Sequence, residues 1–156
     1  MSSIIKKIAL SGSAIFLLMQ LYQPERNIDY VRVSPMHFFK TFSVPAKVQD
    51  VLQTSCFDCH SNNTNYPWYS YVQPVRMLMD SHINEGKENL NFSEFGTYSK
   101  RKQRSKLDRM IKQIKSDEMP LASYTMIHRN AILTNENKAL LLKWIEKKSD
   151  SILANN

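Results

Sequence analysis

The sequence is short of glycine and cysteine, with three glycines and two cysteines among its 156 residues. So few glycines argue against a sheet-rich fold with many tight turns, because such turns use glycine. Long stretches rich in Lys, Leu, Gln and Asn favour helices instead. No internal repeat is evident, and the length suits one compact domain with extra segments at its ends. We therefore predict an all-α fold.

No nucleic-acid-binding motif accompanies the positive charge of this chain. The formal net charge is +7, and the excess lies in residues 100–106 and at Lys143, Lys147 and Lys148. Such a run is ordinarily a solvated face of a helix, and the functional alternative is a surface that docks an acidic redox partner. We expect no nucleic acid among the partners.

The apolar stretch at the N terminus is not followed by an A-x-A-like cleavage site. Lys6 and Lys7 precede apolar residues 8–21, which is the form of an export signal. The stretch is shorter than the ~20 residues of a bilayer span, although apolar neighbours extend it. We predict an uncleaved signal-anchor over residues 1–22 in the bacterial inner membrane, with the folded part facing the periplasm. A cleaved signal peptide and a buried core helix are the alternatives.

Residues 23–42 contain two prolines and no sustained hydrophobic period, so we predict a linker there. His37, a lone histidine in this linker, is expected to face solvent, while phenylalanines at its end are available to pack on the domain. The folded domain is predicted over residues 43–150. Apolar positions at helical spacing predict four main helices, the second closed by Gly86, over residues 43–55, 73–84, 99–115 and 135–149.

Residues 56–60 read C-F-D-C-H and contain both cysteines of the chain. This is the c-type haem attachment pattern, in which each thiol forms a thioether with a haem vinyl group and the histidine becomes the proximal iron ligand. Cys56, Cys59 and His60 are therefore the predicted attachment residues. Two non-haem alternatives remain: a thioredoxin-type redox pair, which needs a βαβ context not found here, and a structural zinc site, which normally needs a second cysteine pair.

Two residues compete for the far side of the iron. Pro120 cannot continue a helix and holds Met119 in an extended conformation, which suits a thioether presented to iron. His82 lies on the apolar stripe of a predicted helix, where a histidine is either a hydrogen-bonded core residue or a second axial ligand. The aromatic side chains of residues 66–71 are expected either to cover the haem or to fill the core.

The order of these motifs resembles class I cytochrome c, and more closely the bacterial haem-binding-domain family of small anchored cytochromes. This likeness covers most of the chain. Besides residues 56–60, the segments that carry it are Gln23-Pro24, Tyr66-Pro67-Trp68, His82 with Glu85-Gly86, Asn91-Phe92-Ser93, and Met119-Pro120 with Tyr124 and His128.

The resemblance implies a cytochrome c-like helical domain around one covalently attached haem c. It implies Cys56 and Cys59 as the thioether links, His60 as the proximal ligand and Met119 as the distal ligand. Leu121 stands where many relatives have a second proline, which weakens the loop argument for Met119 but leaves its ligation possible. The segment from residue 66 to residue 95 is longer than in a minimal cytochrome c, and this insert leaves His82 as the alternative distal ligand.

An iron with two protein ligands has no open position for a substrate, so we expect outer-sphere electron transfer rather than an enzyme. The expected partners are redox proteins and the membrane, with no small-molecule substrate. The alternative is a haem enzyme or sensor, peroxidase-like, with a labile distal ligand. His82, His128 or Glu118 would then supply the acid–base groups.

Overall fold

The computed structural model describes residues 3–29 and 34–154 of the chain. Within them it has eight α-helices, three short 3₁₀ helices and no β-strand, which confirms the all-α prediction. The α-helices are α1 Ser3–Met19, α2 Phe38–Thr41, α3 Ala46–Ser55, α4 Phe57–His60, α5 Val75–Asn89, α6 Lys100–Lys115, α7 Ala122–Ile127 and α8 Asn135–Ala154. The 3₁₀ helices are Trp68–Tyr71, Phe92–Thr97 and Arg129–Ala131.

The pairing of α6 with α8 is the most extensive contact between helices. On α6 the buried apolar residues Leu107, Met110 and Ile114 are three or four positions apart, so they share one face, while the Lys and Arg residues lie mainly on the other. They pack in one cluster with Leu141 and Ile145 of α8. Burial of each such side chain contributes about 1.5–3 kcal/mol. The apolar face predicted for this helix is confirmed.

Phe38 of α2 lies at the centre of the aromatic core and has no exposed surface. Its ring meets those of Phe92, Phe95 and Trp144 edge-on, at centroid distances of 5.0, 4.8 and 5.8 Å. Edge-to-face pairs at such distances contribute about 0.5–1.5 kcal/mol each beyond their burial. The end of the predicted linker is thus part of the core, as its phenylalanines suggested.

The beginning of the predicted linker is also docked on the domain. Arg76 of α5 is 1% exposed, and its Nη2 donates to the carbonyl oxygens of Pro24 at 3.0 Å and Glu25 at 3.2 Å. Its Nε donates to the carboxylate of Asp80 at 2.7 Å. A buried guanidinium needs these partners, so it holds the passing chain against α5. Residues 30–33 of the linker lie outside the described residues.

The predicted signal-anchor over residues 1–22 corresponds to α1, although its first two residues are not described. The helix has 17 residues, so at 1.5 Å per residue it is about 26 Å long. Among the described helices, none is long and apolar enough to cross a membrane. Apolar side chains of α1 such as Leu10 and Leu17 are exposed.

Candidate haem site

The helix that precedes the cysteine motif ends one residue before it. α3 runs to Ser55, Cys56 joins it to α4, and α4 is a single turn that contains Cys59 and His60. The backbone N–H of His60 donates to the carbonyl oxygen of Cys56 at 3.0 Å. Both thiols and the imidazole therefore project from one helical turn.

The orientation of the His60 ring is set by two backbone carbonyls. Its Nδ1 lies 2.9 Å from the carbonyl oxygen of Gly86 and 3.1 Å from that of Leu90. Because a carbonyl only accepts, Nδ1 carries the proton and Nε2 keeps its lone pair. Burial lowers the pKa of His60 and the two backbone bonds oppose that shift, so burial favours the neutral ring. Neutral imidazole is the form that binds a metal.

Gly86 is the point where α5 touches the cysteine motif. A Cβ placed on it would lie 2.6 Å from the carbonyl oxygen of Cys59, which no side chain tolerates. The prediction that Gly86 ends its helix is wrong, because α5 continues to Asn89. No described glycine has a positive φ, so residue 86 is used for close approach and not for a turn.

A cavity of about 490 Å³ opens beside the cysteine motif. That volume lies within the range of about 300–1,000 Å³ typical of ligand pockets. Cys56, Cys59 and His60 line it, and so do both candidates for the far side of the iron, Met119 and His82. Apolar side chains complete the wall, with cationic ones from α6 beside them: Leu90, Phe92, Met110, Ile114, Leu121, Lys106, Arg109 and Lys112.

These lining residues fit a haem. Two thiols stand on the same turn as an imidazole whose Nδ1 is occupied by carbonyls, and a thioether lines the same cavity. The apolar wall suits the macrocycle, and Arg109 and Lys112 suit its carboxylates through charge-assisted hydrogen bonds. The residues that would hold the group are those predicted from the sequence, with His82 present beside them.

The end of α6 places Met119 at this cavity. Asp117 adopts a left-handed conformation with φ 57°, and the N–H of Glu118 then donates to the carbonyl of Gln113 at 3.0 Å. The N–H of Asp117 donates to the carbonyl oxygen of Ile114 at 3.4 Å, and this bond completes a Schellman motif. The N–H of Met119 bonds the same Gln113 carbonyl at 3.3 Å. Sequence reasoning credited Pro120 alone and missed this cap.

Comparison with known proteins also indicates haem as the cofactor. A family model described as haem-binding domain matches residues 14–147. The chain belongs to the haem-binding domain family.

The resemblance predicted from the motifs is thereby confirmed, and so is haem as the class of cofactor. The domain is also 26% identical over 107 residues to the cytochrome c peroxidase Ccp of Escherichia coli (strain K12). That alignment covers 67% of this chain and 23% of the peroxidase, so the chain spans less than a quarter of that relative. No solved structure matches.

The two cysteines of this haem-binding domain are half-buried and form no disulfide. Burial raises the pKa of Cys56 to about 12 and that of Cys59 to about 11, with a smaller contribution from neighbouring negative charge. Redox-active C-x-x-C pairs instead have a thiol whose pKa is lowered. The surroundings thus disfavour the redox-pair alternative. Within residues 3–29 and 34–154, no group of three or more His, Cys, Asp or Glu side chains is arranged to hold a metal ion.

Asp58, inside the cysteine motif, ties it to the segment after Met119. Its Oδ2 accepts a hydrogen bond from the hydroxyl of Tyr124 at 2.7 Å. Burial and this bond raise the pKa of Tyr124, which also lines the cavity. The Tyr124 ring stacks on His128 at 4.3 Å, and the hydroxyl of Tyr69 lies 2.5 Å from Nε2 of His128. No periodic pattern in the sequence predicts the hydrogen bond between Tyr124 and Asp58.

The aromatic residues 66–71 neither cover the cavity nor fill the core as predicted. Trp68 is 80% exposed, and none of the six residues lines the cavity. Two of the rings lie under guanidinium groups, Tyr66 under Arg76 at 4.7 Å and Tyr71 under Arg26 at 4.4 Å. Tyr71 is thus paired with the N-terminal segment and Tyr66 with the buried Arg76 of α5, so both rings have partners away from the cavity.

His37 was expected to face solvent, and this expectation is wrong. It precedes α2, where its Nδ1 accepts a hydrogen bond from the backbone N–H of Phe39 at 3.2 Å. Its ring also packs against that of Phe57, 5.6 Å away. Burial, with a smaller effect of Lys40, lowers the pKa of His37. The histidine is an N-cap.

Proposed function

We propose that this haem-binding domain is a monohaem c-type cytochrome that transfers electrons to and from other proteins. The observation that carries the proposal is the environment of His60. Its Nδ1 is occupied by the carbonyls of Gly86 and Leu90, which leaves Nε2 available, and both thiols line the same cavity.

Each residue of the site has one task in this proposal. Cys56 and Cys59 bind the haem through two thioether bonds, and His60 provides Nε2 on one side of the iron. Met119 provides its sulfur on the other side, where methionine favours the ferrous state more than a second histidine does. With both sides taken, no substrate binds. A bound haem supplies one-electron chemistry at its iron.

The partner we propose is a redox protein with an acidic surface. The solvent face of α6 carries the cationic side chains of Lys100 and Arg101, with the half-buried Arg104 beside them. Arg109 and Lys112 continue that face to the cavity that we assign to haem. Long-range attraction to this face orients an acidic partner and raises its association rate.

We also propose that the domain lies on the periplasmic face of the inner membrane, tethered through its N-terminal segment. Covalent haem attachment by bacteria takes place outside the cytoplasm. The exposed apolar side chains of α1 and its lack of acidic residues support attachment to lipid.

A peroxidase-like enzyme is the second candidate. The similarity to a cytochrome c peroxidase favours it, and so do His82 and Glu85, which line the cavity and offer acid–base groups. It requires that Met119 or His82 leave the iron readily.

Co-expression with a c-type cytochrome maturation system tests the proposal. The protein should stay coloured after acid–acetone extraction, because thioether bonds survive it. Replacement of both cysteines (Cys56→Ala with Cys59→Ala) should give a product whose colour extracts. Extractable colour in the unsubstituted protein would contradict the c-type assignment. Rapid carbon monoxide binding by the reduced protein, with peroxide turnover, would favour the enzyme.

A further inference from the structure

Four exposed apolar side chains follow one another at short spacing where the first 3₁₀ helix leads into α5. We call Trp68, Tyr71, Val72 and Val75 the interfacial patch. Trp68 is 80% exposed, and the side chains of the other three are exposed as well. A scattered apolar residue at the surface is ordinary, whereas adjoining ones of this size mark a surface that contacts a partner.

The base of α1 is fixed to this patch by two glutamines. The N–H of Gln73 donates to Oε1 of Gln20 at 2.9 Å, and Nε2 of Gln20 reaches the carbonyl of Gln73 at 3.4 Å. The side chain of Gln73, which has no exposed surface, donates to the carbonyl of Tyr22 at 2.6 Å. The buried amide of Gln73 and the half-buried amide of Gln20, with these partners, make a stiff junction.

Further contacts continue the junction along the chain. Arg26 lies over the ring of Tyr71, with its Cζ 4.4 Å from the ring centroid. Arg76 donates hydrogen bonds to the carbonyl oxygens of Pro24 and Glu25. Residues 20–26 are thus attached beside the interfacial patch, so α1 leaves the domain next to it. The two apolar surfaces, α1 and the patch, adjoin each other.

We propose that a phospholipid bilayer covers the interfacial patch, so that the haem-binding domain rests on the membrane in one orientation. The inference rests on the proposed tether through the N-terminal segment, and it adds a second lipid contact and a rigid connection between the two. Tryptophan and tyrosine are favoured at the boundary of a bilayer, where one part of the ring is apolar and one part is wet. Arg26 beside the patch suits anionic headgroups.

Photo-crosslinking tests the contact in the full, haem-loaded chain. The protein is reconstituted in vesicles of phosphatidylethanolamine and phosphatidylglycerol, with p-benzoylphenylalanine replacing one residue in each preparation. Trp68 tests the patch, Phe16 reports on α1, and Gln53, exposed on α3 and outside the cationic face of α6, is the negative control. We expect adducts of lipid mass at positions 68 and 16 and none at 53.

The outcomes separate the two proposals. An adduct at position 16 without one at position 68 contradicts the lipid contact of the interfacial patch but is compatible with the tether through α1. The absence of adducts at both positions contradicts the tether as well. An adduct at 68 to a second copy of the chain also overturns the lipid assignment. The variant Gln20→Ala should lose the adduct at 68 and keep that at 16, whereas Gln53→Ala, exposed on α3, should keep both. An unchanged yield at 68 in Gln20→Ala would overturn the role of the glutamine junction.

Discussion

Gly86 and Cys59 lie so close that a Cβ on residue 86 would be 2.6 Å from the carbonyl oxygen of residue 59. This contact brings α5 against the single turn that carries both thiols and His60. It also brings the Gly86 carbonyl within 2.9 Å of Nδ1 of His60. Helix packing and orientation of the imidazole therefore depend on the same missing side chain.

Replacement of this glycine tests that dependence. Gly86→Ala forces α4 and α5 apart, and overpacking of this kind costs about 1–3 kcal/mol. We expect a lower yield of covalently attached haem and a lower urea midpoint for the protein that matures. The matched control is Gly12→Ala, because nothing lies within 4 Å of a Cβ there. Equal yields for the two variants would show that the close approach is unimportant.

The identity of the distal ligand can be read from two variants. Met119→Ala should remove the weak near-infrared sulfur-to-iron band of the oxidised protein, lower its reduction potential and open the iron to carbon monoxide. His82→Ala should leave the band and the potential unchanged, although it lines the same cavity. The opposite pattern, with the spectrum changed only by His82→Ala, would mean that two histidines bind the iron.

The helix cap formed by Asp117 at the end of α6 should also affect the sulfur-to-iron band, because it positions Met119. Asp117 has φ 57°, a conformation that costs a side-chain-bearing residue about 1–2 kcal/mol and a β-branched one more. We expect Asp117→Val to destabilise the protein by about that amount in urea unfolding and to weaken the sulfur-to-iron band. Asp117→Gly should keep the band, because glycine adopts this conformation freely.

Asp117 also forms an ion pair, because Lys138 Nζ lies 2.6 Å from its Oδ1. The effect of losing this pair has to be distinguished from the effect of the backbone conformation of Asp117. Asp117 is largely exposed there, and exposed pairs contribute no more than about 1 kcal/mol. Lys138→Ala removes the pair and keeps the backbone conformation, so it should leave the band intact. If Lys138→Ala weakens the sulfur-to-iron band as much as Asp117→Val does, the ion pair and not the backbone conformation positions Met119.

The cap at His37 predicts a pH dependence of stability. Burial lowers the pKa of His37 in the folded protein below the ordinary value of about 6.5 that it has when unfolded. Between those two values the unfolded chain binds more protons, so the free energy of unfolding falls as the pH falls below about 6.5. A protonated Nδ1 can no longer accept the N–H of Phe39, and a lost N-cap costs about 1 kcal/mol.

Urea unfolding between about pH 7 and pH 5 measures this effect. His37→Asn keeps a cap that accepts at every pH in that range, so its stability should fall less steeply than that of the unsubstituted protein. Identical slopes for the two proteins would exclude a contribution of His37.

Much of the fold followed from local patterns. The helices α3, α6 and α8 came from apolar residues at helical spacing, and such patterns survive because the buried face of a helix must be continuous. The contacts of residues 23–42 did not follow from local patterns, because their partners lie far away in the chain. Phe38 meets the ring of Phe92, more than fifty positions later, and Arg76 binds the carbonyls of residues 24 and 25. No local period records such contacts.

The sequence alone determined the chemistry of the site, because the spacing of Cys56, Cys59 and His60 places two thiols and an imidazole on one turn whatever surrounds them. Tertiary structure decided which groups surround that turn. It brought the carbonyls of Gly86 and Leu90 to Nδ1 of His60, and it brought both Met119 and His82 to the same cavity. These arrangements depend on close packing between segments far apart in the chain, which a spacing within one segment does not contain.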